Sequence, residues 1–161
     1  MALVESVLKS QLVAGFSAHN DSAMQAASKI TDGIDAYIKG IQNMGGGAFS
    51  SMTGLPILKT NLNSIFLAQE SSGTMVGNKV SQAIDDCAKT LMTIYQNAPP
   101  VTSGSFSGFK SQMLVLFGGY QNSGAEFGQK LAGHIHNYFS LIQIQGVIPG
   151  SPPIPFNGPP R

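Results

Sequence analysis

Three stretches of this chain are versions of one another. Residues 9–42, 59–92 and 110–143 align without a gap, and five positions are identical in all three: Lys9/Lys59/Lys110, Phe16/Phe66/Phe117, Ser22/Ser72/Ser123, Lys29/Lys79/Lys130 and Ile34/Ile84/Ile135. A repeat of about 50 residues marks an architecture in which one supersecondary unit is used several times. One such unit cannot bury its apolar face alone, so the copies are expected to share a core.

Each copy reads as two helices. The first carries Leu8, Leu12 and Phe16, with counterparts Leu58, Leu62, Phe66 and Phe109, Met113, Phe117. A spacing of four stacks side chains on one helical face. The second carries Ile30, Ile34, Tyr37 and Ile41, matched by Val80, Ile84, Cys87, Leu91 and by Leu131, Ile135, Tyr138, Ile142. That 4-3-4 rhythm is the narrow apolar seam that packed helices share. The polar links SAHND, LAQES and GGYQN are each followed by the shared serine. Serine favours the helix N-cap, where its oxygen accepts an orphan backbone N–H. Small residues then recur at Ala27, Gly77 and Gly128, and glycine inside a helix at one repeat position points to close helix approach. Phe16, Phe66, Phe117, Ile34, Ile84 and Ile135 are therefore the expected repeat core.

Asn43–Pro56 and Asn97–Gly108 are rich in Gly, Pro and Ser and read as linkers. After Ile142 the pattern changes. Ile144 to Ile148 alternates like a short strand, and a proline-rich run to Arg161 reads as extended chain. The expected fold is mainly α: a six-helix bundle of three tandem hairpins (about 1–43, 51–96 and 105–142) with a pseudo-threefold repeat, plus an extended tail over 143–161. An open row of hairpins is the alternative; long linkers favour the closed bundle. Val147, Ile148, Ile154 and Phe156 give the tail apolar contacts for docking on its own domain or on a neighbouring subunit.

Composition narrows the function. Only 11% of residues are charged, against about 25% in an average soluble domain. So weakly charged a surface suits a chain that lies against other subunits. Nucleic-acid binding by counterion release needs clustered Lys and Arg, whereas the net charge is +1 and Arg161 is the sole arginine. The start of the chain, MALVESVLKSQLVAGF, lacks a signal-peptide pattern, and no apolar run nears the roughly 18 residues of a membrane span. The single cysteine, Cys87, replaces a seam tyrosine and reads as a buried structural thiol.

Catalytic or metal-binding groupings are few. His19 stands in a link. His134 and His136 diverge on a helix, as do Asp85 and Asp86, so neither pair suits chelation or acid–base work. Gly45–Gly47 follows a helix and lacks the strand that a phosphate loop needs. Lys29, Lys79 and Lys130 read as solvated helix surface. No cofactor, metal, catalytic residue or small-molecule substrate is expected.

KSQLVAGF, SAMQAASKITDGIDAYI and IQGVIPGSPPIPFNGPP together resemble small helical virion structural proteins of tailed bacteriophages. The resemblance covers each hairpin and the tail, and this chain carries three copies of the hairpin. It implies an assembly role without catalysis at a baseplate, neck or capsid surface. The partners would be other virion proteins in a homo- or hetero-oligomer, in a virion assembled in the host cytoplasm. The alternatives are a secreted or secretion-apparatus helical protein and a small helical ligand-binding domain.

Overall fold

The computed structural model describes residues 4–18 and 22–161; His19, and Asp21 beside the first cap, lie outside the described residues. Its elements are α1 (Glu5–Ser17), α2 (Ala23–Ile38), β1 (Phe49–Met52), α3 (Leu55–Leu67), α4 (Gly73–Ala88), β2 (Leu91–Thr93), α5 (Ser103–Gly118), α6 (Gly124–Phe139), β3 (Ile144–Ile148) and β4 (Ile154–Gly158). The protein is mainly helical, with two small antiparallel strand pairs.

The shared serines start the second helices as their chemistry dictates. Ser22, Ser72 and Ser123 stand at the N-caps of α2, α4 and α6, where their hydroxyls accept from the N–H of Gln25, Met75 and Glu126 at 3.1–3.3 Å. From each cap a helix of 16 residues follows.

Helices adjacent in sequence are adjacent in space: α1 packs on α2, α2 on α3, α3 on α4, α4 on α5 and α5 on α6. The α6–α1 contact then joins the last helix to the first and closes the ring. All twelve seam residues of the second helices and the turns after them are buried, from Ile30 to Ile142. Leu8, Leu12, Leu58, Leu62, Phe109 and Met113 complete the core from the first helices. Burial of each such side chain stabilises by roughly 1.5–3 kcal/mol before conformational entropy is counted.

Phe16, Phe66 and Phe117 depart from full burial. They are half-buried at the rim of the core, because each falls at the last turn of its helix, where the ring opens to solvent. Phe16 and Phe117 both meet Phe127 edge-on, with centroids 5.0 and 5.2 Å apart. Ile34, Ile84 and Ile135 are wholly buried.

The linkers and tail differ more from expectation. Within Asn43–Pro56 the chain forms β1, which pairs antiparallel with β2 and carries a bulge between Phe49 and Ser51. After Ile142, β3 falls on the alternating stretch Ile144–Ile148 read as a strand, while the proline-rich run folds back on it as β4 in place of running on as extended chain. Chain leaving a helix end presents backbone N–H and C=O groups that must find partners. Here they find one another. Gln42 bridges to Ala48, Ile94 N–H donates to Ala48 O, Val147 N–H donates to Tyr95 O, and β3 pairs with β4. Arg161 N–H then donates to Gln42 O at 2.8 Å, and Gln42 N–H donates back to Arg161 O at 3.0 Å. The pairings run in a closed circuit over one end of the helical ring.

Candidate functional site

Two regions offer chemistry or contacts beyond the apolar core: a polar layer inside the bundle and the strand cap at its end.

In the polar layer, residues of different hairpins meet. Tyr138 Oη donates to Asp85 Oδ1 at 2.6 Å, and Lys89 Nζ lies 2.6 Å from Asp85 Oδ2. Asp85 is 2% exposed, so the phenol and the ammonium together satisfy a carboxylate cut off from water. Tyr138 also stacks on Phe109, with centroids 4.5 Å apart. Burial, and then the bond to Asp85, push the Tyr138 phenol far above its ordinary value, which keeps the donor protonated. The second contact joins Tyr37 Oη and His136 Nδ1 across 2.7 Å. Cys87 occupies the third seam position. It is buried, and burial raises its thiol to about 12, which suppresses the nucleophilic thiolate. Asp35, at the repeat position of Asp85, pairs with Lys39 just past the end of α2, at 2.6 Å, as Asp85 does with Lys89.

His134 and His136 share α6 but not surroundings, as their spacing implied. Both are half-buried, which departs from the expected surface histidines; His136 lies against Tyr37 of the first hairpin. Burial, with Lys130 nearby, lowers the His134 pKa. Asp86 is exposed where its neighbour Asp85 is buried. Among the described residues no group of three or more His, Cys, Asp or Glu could hold a metal ion. No described helix is long and apolar enough to cross a membrane. Lys79 pairs with Glu70, and Lys130 with Glu126 at 2.7 Å, so these repeat lysines serve exposed ion pairs. Lys29 instead lays its stem across Gly15 of α1. An open groove of about 460 Å³ runs between α3 and α4, with Asn61, Lys79, Gln82, Asp86 and Lys110 on its walls.

The strand cap contains the four tail residues with expected contacts. Val147, Ile148 and Phe156 are half-buried, and Ile154 is 60% exposed. Phe156 is seated within its own chain. A Cβ on Gly45 would stand 2.8 Å from its ring, and one on Gly146 would stand 2.6 Å from Cζ, so both glycines make room for it. The hairpin also borders an open recess of about 410 Å³, lined by Asn97, Gln145, Val147, Pro155, Phe156 and Asn157. Asn43, 1% exposed, ties the cap together: its Nδ2 donates to Thr93 Oγ1 and Ile94 O, and its Oδ1 accepts from Gly47 N–H.

Charge is distributed unevenly between the cap and the rest. Residues 40–58, 90–109 and 137–160 contain no Asp, Glu, Lys or Arg, and these stretches, with Arg161, build the cap. Met44, Ile94, Tyr95, Val101 and Ile154 are exposed within them. The charge-free stretches were visible in the sequence; their meeting at one end depends on strand pairing that no local pattern encodes. No family model, curated protein or solved structure matches this chain.

Proposed function

We propose that this chain is a structural component of a tailed-bacteriophage virion, at the baseplate, neck or capsid surface, and that it acts by packing against other subunits. We further propose that its three hairpins stand about a pseudo-threefold axis, which gives one chain the contacts of a trimer of single hairpins.

Several observations support the pseudo-threefold arrangement. The three second helices are equal in length and identically capped. The second helix of each hairpin packs on the first helix of the next, cyclically. The pairs Ser51–Met92, Val101–Gln143 and Arg161–Gln42 involve one repeat position, 42/92/143, each time. In this scheme the tail acts as the third linker: it reaches the first hairpin as the two linkers reach the second and third.

The observation that carries the assembly role is the charge-poor, partly apolar cap, in which Arg161 alone is charged, on an already charge-poor molecule. Large exposed apolar patches on soluble proteins mark interaction surfaces. The test is location. Particles purified from a lysate that expresses the chain should contain it by mass spectrometry, at a copy number that is a multiple of a ring symmetry. Intact infectious particles without it would overturn the virion role. The groove between α3 and α4 favours the ligand-binding reading. Small molecules that raise the melting temperature in wild type but not in Gln82→Leu would support that reading instead.

A further inference from the structure

We propose that the second hairpin carries a seat for a small aromatic zwitterion, of the class of the free aromatic amino acids. The seat rests on the ligand-binding reading of the α3–α4 groove, whose ligand it specifies, and is independent of the virion role.

The repeat exposes the seat. Gly54, Leu58, Asn61, Asp86, Cys87 and Thr90 border a recess of about 140 Å³ between α3 and α4. Their counterparts 51 positions on, Ser105, Phe109, Gln112, Asn137, Tyr138 and Leu141, border one of about 80 Å³ between α5 and α6. The two recesses occupy one place in the repeat and differ in aromatic content. In the third hairpin the rings of Phe109 and Tyr138 stack there, with centroids 4.5 Å apart. In the second, Leu58 and Cys87 stand at those positions, and the recess is the larger one. Two small side chains in place of two rings leave room that the matching helices do not close. An apolar space of about 150 Å³ holds a benzene ring. The walls suit such a ring, since Ile57, Leu58, Ala83 and Cys87 are apolar.

The recess adjoins the groove of about 460 Å³, and the two share Asn61, Ala83 and Asp86. Charges of both signs stand along this opening. Asp86 Oδ1 accepts from Gln82 Nε2 and faces Lys89 Nζ at 3.5 Å, whereas its Oδ2 has no partner among the described residues. Lys110, half-buried on the groove wall, has none either among the described residues. Lys79, on the same wall, is already held by Glu70. A ligand with a single charge leaves Asp86 or Lys110 unanswered. A zwitterion answers both with charge-assisted hydrogen bonds. Its ring enters the recess, its ammonium meets Asp86 where recess and groove join, and its carboxylate turns along the groove to Lys110.

Two-dimensional ¹H–¹⁵N NMR on the full chain tests this, with L-phenylalanine added to about 20 mM. The expected result is a set of shifts at Leu58, Ala83, Cys87 and Lys110 that saturates with a Kd of about 1 mM. Glycine, which lacks the ring, should bind at least about tenfold more weakly. Cys87→Tyr and Ala83→Leu each fill the recess and should weaken phenylalanine by about tenfold or more with unchanged circular dichroism. The fold takes large side chains at both positions, since Tyr37 and Tyr138 hold the first in the other copies and His134 holds the second in the third copy. Lys110→Gln should weaken phenylalanine about threefold and leave phenethylamine, which has no carboxylate, unaffected. Glycine binding as tightly as phenylalanine would overturn the aromatic seat and leave the groove reading standing. Shifts centred on Phe109 and Tyr138, or folded Cys87→Tyr and Ala83→Leu chains that bind like wild type, would also overturn the seat. No shift along the groove with any of the three probes would overturn the groove reading with it.

Discussion

Tyr138 and Tyr37 occupy one repeat position yet hold different partners, and the partner sets what each hydroxyl contributes. Tyr138 serves a buried carboxylate, and hydrogen bonds to charged groups are worth about 1.5–3 kcal/mol. Tyr37 meets a half-buried imidazole, for which about 1 kcal/mol is typical. Urea denaturation should therefore show Tyr138→Phe losing more stability than Tyr37→Phe. Equal losses would mean that Lys89 alone satisfies Asp85. His134 gives the fold a pH dependence. Its folded pKa lies below the ordinary 6.5, so the unfolded chain binds the proton more readily. Stability is then full above about 6.5 and declines as pH falls through the folded value. Thermal melts at pH 7 and pH 5 should show a smaller drop for His134→Gln than for wild type.

At the scale of elements, helix spacing is set by small residues. Gly73 and Gly77 of α4 face the Phe117 and Met113 carbonyls of α5; Gly124 and Gly128 of α6 face the Phe16 and Leu12 carbonyls of α1. A Cβ at any of these would collide with backbone, which cannot swing aside as a side chain can. The first hairpin has Ala23 and Ala27 at the same positions, so the α2–α3 contact tolerates a methyl that the other two do not. Gly128→Ala should thus destabilise by about 1–3 kcal/mol from overpacking, although alanine favours the helix by about 1 kcal/mol. Gly108 meets nothing within 4 Å and Gly133 only the tip of Glu5 at 3.8 Å, so alanine at either should stabilise by up to about 1 kcal/mol. The contrast is read by comparing the three melting curves. A stabilised Gly128→Ala would refute the close approach.

For the whole molecule, closure matters most. The ring of helices closes through α6 and α1, and the cap closes through Arg161 and Gln42. Deleting 151–161 removes β4, withdraws Phe156 from Gly45 and Gly146, and leaves both Gln42 backbone groups without their partner. The helical circular dichroism should persist while the melting temperature falls by at least about 5 °C. An unchanged melting temperature would place the tail outside the cooperative unit.

The sequence by itself determined the six helices, the serine caps of the second helix in each hairpin and the buried seam positions, because helical periodicity and serine capping act between residues three or four apart. The repeat added that the three hairpins resemble one another. It could not say that Tyr138 meets Asp85 while Tyr37 meets His136, since such pairs depend on how far apart the second helices stand. Nor could it place the half-burial of Phe16, Phe66 and Phe117, which follows from where the ring ends. The strand cap was least legible. Nothing in the sequence pairs Gln42, Ala48, Ile94, Val147 and Arg161 until ring closure brings distant segments within hydrogen-bonding reach, and only the folded chain supplies that proximity.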